Sequence, residues 1–232
     1  MTTHLHIISA GAAMGLTRQL LGNQISINVG LNFGAVRTMY DLFVSGVPCD
    51  LLLLTRAQID ELDAAGCLVA GSIADVGHVK TGIAVRADTK GNPDIHDAAA
   101  LRDTLHKASC IYCPDMKQST AGLHVAGMLK QLGIWDDVKN HISEHPNGAT
   151  AMGEMAKSTE SNLIGCTQVT EINYTDGVDL VDVLPVEFEL STDYTLGICT
   201  HAKNPTHAEL LADLLTGAAS AAARRRAPRR RW

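Results

Sequence analysis

Aromatic residues are scarce. Phe, Trp and Tyr together make up 4% of the 232 residues, too few for a surface that stacks the bases of a nucleic-acid strand. No stretch approaches 18 consecutive apolar residues, so direct membrane insertion by a spanning helix is not expected. The opening residues, Met1-Thr2-Thr3-His4, carry no basic region, and neither an apolar signal run nor a small-residue cleavage site follows them. The expectation is a cytoplasmic protein, or a periplasmic one if this sequence is an already processed form. His78, His124 and His141 stand isolated in sequence and are read as structural or surface groups. No metal and no cofactor is expected, and no solenoid-type repeat is visible.

What is present is globular. The chain is 46% hydrophobic with 20 glycines, and its length suits one large domain or two small lobes. Its formal charge is −6, yet six arginines sit in Arg224–Trp232, leaving the preceding chain at −12. An acidic body gives no reason to expect nucleic acid. The Ala/Arg/Pro-rich residues 220–232 read as a disordered tail. Of the six cysteines, Cys49, Cys110, Cys166 and Cys199 lie in or beside expected strands, where a free thiol acts as a small apolar group. Cys110-Ile111-Tyr112-Cys113 has C-x-x-C spacing. It runs along a strand and lacks a second pair, so buried structural thiols are expected.

The chain is organised around Ile25 to Gly66. A β-branched run (Ile25, Ile27, Val29) stops at Asn32-Phe33-Gly34-Ala35, and a helix-period segment follows with Val36, Met39, Tyr40 and Phe43 on one face. Gly46-Val47-Pro48 breaks it. Cys49 to Leu54 is nearly all apolar, as a strand covered on both faces should be, and a helix from about Ala57 stops at Gly66. This alternation is the unit of a parallel sheet with crossovers. Before it come a strand at Leu5–Ser9 and a helix over Met14–Leu21 closed by Gly22-Asn23. After it the pattern is strand-like from Ile73 to Arg86, and it predicts a helix over Asp97–Ala108, a strand over Cys110–Cys113 and a helix over Ser119–Leu132. A short amphipathic helix at Trp135–His141, a turn at Asn147-Gly148 and a helix at Ala149–Lys157 follow. Strands at Asn162–Cys166, Val178–Leu184 and Tyr194–Thr200 and a last helix at Pro205–Thr216 complete the reading, with Thr167–Ile172 a short helix or loop.

The fold class expected is α/β: a two-lobed clamshell, each lobe a mostly parallel sheet flanked by helices, joined by two strand crossovers. The boundaries expected are residues 1–82 with 185–219 for the first lobe and 83–184 for the second.

Several short pieces fall in a telling order: Ser9-Ala10-Gly11-Ala12, Phe33-Gly34-Ala35, Gly46-Val47-Pro48-Cys49-Asp50, Ala64-Ala65-Gly66 and Ser119-Thr120-Ala121-Gly122. In that order and spacing the chain resembles the type 2 periplasmic binding proteins, most of all their molybdate-binding branch, over about residues 5–215. The resemblance implies a ligand held between the lobes by hydroxyls and by backbone amides at helix N-termini, where the partial positive charge favours an anion. By matching position, Ser9, Ala10 and Gly11 would form one ligand loop and Gly34, Ala35 and Val36 a second. Ser119 and Thr120 would form a third, with Thr150, Thr167 and Gln168 closing the site.

The departures point to a different guest. The molybdate pattern has a serine after F-G-A, where this chain has Val36 and then Arg37, and Lys117 precedes Ser119. Lost hydroxyls and gained cations favour an organic carboxylate, which arginine pairs in bidentate fashion. Arg37 and Lys117 read equally as solvated side chains, and Ser119 and Thr120 as plain helix caps.

The first functional expectation is a small-anion binding protein, with a membrane transporter as partner if the chain is exported. The alternative is an isomerase on the same scaffold, such as aconitate isomerase, acting on a di- or tricarboxylate by proton abstraction. No catalytic residue is assigned. Asp115, Glu154 and Glu171 are the nearest carboxylates to the expected loops, with His78 and His124 as further bases. A regulator's effector domain is disfavoured, because no helix-turn-helix segment precedes residue 5.

Overall fold

A computed structural model describes residues 4–18, 28–218 and 220 of the chain. These divide into two compact units: one runs to His78 and resumes at Thr192, and the other is Val79–Ser191. The expected end of the first helix at Leu21, the strand start at Ile25–Ile27 and the Arg-rich tail lie outside the described residues.

The first unit is built on β1 (His4–Ala10), β2 (Asn28–Gly34), β3 (Leu51–Thr55) and β9 (Ser191–Ile198), in the order β2-β1-β3-β9. β1 runs parallel to β2 and β3, and β9 runs antiparallel to β3. The apolar run Leu51–Leu54 is wholly buried, as a strand covered on both faces requires. A turn of 3-10 helix at Gly11–Ala13 leads into α1, helical over residues 14–18. α2 (Val36–Val44) follows β2, and α3 (Arg56–Ala64) follows β3. One core cluster joins Ile8, Leu52 and Leu54 of the strands to Met39 of α2 and to Ile59 and Leu62 of α3.

Asp50 ties this unit together. Its buried carboxylate accepts the amide of His6 at 2.7 Å, that of Lys203 at 2.6 Å and that of Asn204 at 2.9 Å. The aspartate of the Gly46–Asp50 segment thus joins β1, the start of β3 and the approach to α9 (Pro205–Thr216).

The second unit holds β4 (Ala74–Arg86), which enters from the first, with β5 (Cys110–Pro114), β6 (Ile142–His145), β7 (Leu163–Gln168) and β8 (Val178–Val183). β5 is parallel to β6 and β7, while β4 pairs antiparallel with β7 and β8. Its helices are α4 (Ala98–Lys107), α5 (Thr120–Gln131), α6 (Trp135–Val138), α7 (Gly148–Lys157) and α8 (Val169–Asn173). Ile111, Cys113, Ile164 and Cys166 pack in one cluster with Leu101, Leu105, Val125 and Leu129. Leu163 packs in another with Met152 and Met155 of α7.

The C-x-x-C thiols diverge as period-2 geometry demands: Cys113 joins the first of these clusters, while Cys110 packs against the second. Burial pushes the Cys113 thiol up and that of Cys166 up to about 12. β6 is a strand that the sequence pattern does not announce. Ile-Ser-Glu-His is short and polar, and it pairs only with β5 at the edge of the sheet. Trp135–His141 proves to be the short α6 followed by a 3-10 turn at Lys139–His141. Among the described residues, no helix is long and apolar enough to cross a membrane.

Candidate functional site

Ligands on parallel sheets gather at the carboxyl ends of the strands. In the first unit the parallel register pairs Ser9 with Phe33 and Ala10 with Gly34. The turns that follow β1 and β2 therefore start side by side, one strand spacing apart, about 4.8 Å. Each starts on alanine. Ala10 precedes the turn at Gly11–Ala13 and Ala35 precedes α2, and no side chain caps either start. Serine, threonine, aspartate or asparagine is the usual residue there, because its oxygen accepts a first-turn amide. Alanine has no acceptor. Met39 N–H returns to Ala35 O at 3.0 Å, so the first-turn amides of Val36, Arg37 and Thr38 have no acceptor among the described residues.

α3, in the same unit, is closed differently. Thr55 donates its amide and its hydroxyl to Gln58 Oε1, at 3.4 and 3.0 Å. Gln58 Nε2 then donates to Val36 O at 3.2 Å, which anchors the first turn of α2 from below.

In the second unit the order β7-β5-β6 places three strand ends on one edge, and these lead to α8, α5 and α7. This brings together Lys117, Ser119, Thr120, Thr150, Thr167 and Gln168. The helix starts here carry acceptors. Asp115 Oδ1 takes the amides of Lys117 and Gln118 at 2.7 and 2.8 Å. Ser119 Oγ accepts Gly122 N–H at 3.4 Å. The amides of Thr120 and Ala121 stand between these, with no acceptor among the described residues.

At α7, Asn147 Oδ1 accepts both the amide and the hydroxyl of Thr150, at 2.8 and 3.0 Å, and Asn147 O accepts Ala151 N–H at 3.0 Å. The Glu171 carboxyl lies against Gly148, where an added Cβ would overlap its Oε2, and the amides of Gly148, Ala149 and Gln168 act to lower its pKa. Thr167 Oγ1 donates to Glu171 Oε2 at 2.6 Å.

The other candidate residues are placed as follows. Ser9 is fully buried and its hydroxyl donates to Ala10 O at 3.0 Å. Arg37 is exposed, and its Nε pairs with Asp41 at 3.0 Å while the guanidinium lies over the Tyr40 ring at 5.0 Å. The charge of Arg37 is thus directed along α2. The Tyr40 hydroxyl donates to Glu61 at 2.6 Å, a bond that holds the phenol's pKa above its ordinary value. Lys117 is exposed.

The groups named as bases are engaged. Glu154 is paired with Lys157 at 2.7 Å, and the His124 ring contacts Phe188 O at 2.8 Å. His78 is paired with Asp193. His4 and His6 share one face of β1, their rings 4.6 Å apart. Among the described residues, no group of three or more His, Cys, Asp or Glu is placed to hold a metal ion.

Two features escaped the sequence reading. Asn147-Gly148 before a helical run was legible as a cap and not merely a turn. The partnership of Glu171 with α7 had no local signal, since 23 positions separate Glu171 from Gly148.

This fold is that of the type 2 periplasmic binding proteins. Residues 3–227 match the family described as bacterial extracellular solute-binding protein, and the chain belongs to that family. The periplasmic molybdate-binding protein of Azotobacter vinelandii matches it with a TM-score of 0.74 at 18% identity, over 94% of this chain and 95% of that one. The sulfate-binding protein SubI of Mycobacterium tuberculosis matches with a TM-score of 0.65 at 16% identity, over 94% and 83%. A relative from Pseudomonas sp, an aconitate isomerase, is 25% identical over 222 residues, 92% of this chain and 82% of its own.

Proposed function

We propose that the chain binds a small anion at the two open helix starts of the first unit, and that this anion is an organic carboxylate in preference to a tetrahedral metal oxyanion. The observation that carries the reading is the pair of alanine-started turns at the ends of β1 and β2. An N-cap alanine costs about 1 kcal/mol relative to serine or aspartate. Two such positions side by side make sense where the missing acceptor comes from a ligand. A carboxylate supplies it: two oxygens, each able to take amides from a neighbouring turn.

The donors are backbone amides rather than hydroxyls, since Ser9 spends its hydroxyl on Ala10 O. Arg37 would flank the ligand by leaving Asp41. In the second unit Thr120 and Ala121 offer a further pair of amides beside Lys117. The molybdate and sulfate binders of the same fold support the sign of the charge. The aconitate isomerase relative supports the carboxylate. The family description and the periplasmic neighbour support an exported protein working with a membrane transporter, in place of the cytoplasmic setting expected from the N-terminus.

The same relative carries a second reading, an isomerase acting on a tricarboxylate such as aconitate. That reaction needs a base at an activated C–H. Glu154, Asp115 and Glu171 are committed to Lys157, to amides and to Thr167 in turn, which favours binding over turnover.

The test is a thermal-shift screen of the purified protein against molybdate, tungstate, sulfate, phosphate, citrate, cis- and trans-aconitate and smaller dicarboxylates. A ligand at a hundred times its Kd stabilises by about 2.7 kcal/mol. A shift with a carboxylate is the expected result, and incubating that carboxylate while watching for its isomer separates binder from enzyme. A shift with molybdate or tungstate alone overturns the carboxylate assignment.

A further inference from the structure

Glu171 is 7% exposed, and a carboxylate so placed is costly unless it is fully hydrogen-bonded. The Thr167 hydroxyl donates to it at 2.6 Å, and the amides of Gly148, Ala149 and Gln168 act to lower its pKa. Thr167 is itself fully buried. The backbone is shaped to admit this carboxylate, because a Cβ built on Gly148 would overlap both Glu171 Oε2 and Thr167 Oγ1. α7 has ten residues, long enough to present a helix dipole at this end. A carboxylate on helix amides with a hydroxyl beside it is the arrangement that such a helix start would offer to a bound anion.

We infer that Glu171 is the resident anion of α7 and a specificity-determining residue for anion binding: it withdraws the α7 amides from ligand binding. Glu171 acts through the Gly148 and Ala149 amides and is therefore a positioning residue, not a catalytic one. Buried and bonded to Thr167, it is poorly placed to take a proton from a substrate. Two consequences follow for the ligand, and these rest on the anion-binding reading above. An anion on this unit does not meet open amides at the start of α7. It also meets a carboxyl on the α7 side, so that helix start offers no dipole to additional ligand charge. Residence in α7 itself does not depend on what the protein binds elsewhere.

The test uses the full chain with Glu171→Ala and Glu171→Gln, and small anions as probes. Glu171→Ala removes the carboxylate and leaves two amides, a hydroxyl and a cavity the size of the lost side chain. Acetate or formate should refill it. The expected result is a lowered melting temperature that rises by about 2–4 °C with saturating acetate, beyond the effect of sodium chloride at equal ionic strength. Wild type and Glu171→Gln should show no such response. A variant required only for packing would not respond to acetate over chloride, and that result overturns the inference.

If Glu171→Ala does not fold, the backbone amide proton shifts of Gly148 and Ala149 in Glu171→Gln carry the test. Both should move upfield as a charged acceptor becomes neutral, and unmoved resonances overturn the inference. Failure of the carboxylate screen on wild type, with acetate rescue intact, would overturn the proposed ligand and leave Glu171's role standing.

Discussion

The two units solve one problem in opposite ways. Each has helix starts at the carboxyl ends of parallel strands, where first-turn amides need acceptors. The first unit closes α3 with the Thr55–Gln58 capping box but leaves the starts after β1 and β2 open, with alanine at Ala10 and Ala35. The second closes most of its own, with Asp115, Ser119, Asn147 and Glu171. At α7 the amides of Thr150 and Ala151 bond to Asn147, and the Glu171 carboxyl lies against Gly148. The comparison teaches that a shared strand-to-helix layout does not make every helix start a binding site. What matters is whether the chain supplies the acceptor itself. Local stability favours closure, so the open starts are where a ligand is expected.

The largest effect should come from disturbing the closed side. Gly148→Ala places a methyl against Glu171 and Thr167 and should cost about 3 kcal/mol, the upper range for overpacking, measured by urea unfolding. A cost near zero would mean that the carboxylate is not held where α7 begins.

The converse change closes the open side. Ala35→Asp gives α2 the acceptor it lacks. It should raise stability by about 1 kcal/mol while weakening the anion found in the screen about a hundredfold, close to 2.7 kcal/mol, by titration calorimetry. Unchanged affinity would break the comparison outright.

A pH series sharpens it. Burial raises the Glu171 carboxyl above its ordinary value, against the lowering effect of Thr167 and the amides. A carboxyl raised on folding contributes stability that is complete below its unfolded pKa and is lost as pH rises through the folded one. The wild type should therefore lose stability relative to Glu171→Gln as pH climbs from below the ordinary glutamate range through that raised value. Urea unfolding at stepped pH would show it, and a gap that stays constant with pH counts against a raised carboxyl.

The smallest effect belongs to Arg37→Ala. The side chain is exposed and paired within its own helix, so stability should change by no more than about 0.5 kcal/mol. Affinity should fall about tenfold, or 1.4 kcal/mol, if Arg37 flanks the ligand, and calorimetry on the variant reads it directly.

Much of the layout was legible along the chain. Leu51–Leu54 reads as a doubly covered strand because four consecutive apolar residues have no other home, and Pro205–Thr216 reads as a helix from its proline start and its leucines. β6 was not legible, since Ile-Ser-Glu-His owes its strand to pairing with β5 and not to pattern. The candidate loops were half legible. Small residues after a strand mark a tight turn, but sequence does not say which amides remain free once distant side chains have arrived.

That is where the division falls for this protein. Local patterning, which acts over a few residues, determined the strands, the helices and their α/β alternation. It also placed alanine where caps are usual, at Ala10 and Ala35. Only the tertiary structure decided that Ala10 and Gly34 lie side by side, that Arg37 turns to Asp41, and that Glu171 reaches back to α7. These depend on strand register and on contacts between residues far apart in the chain, and no local preference encodes them.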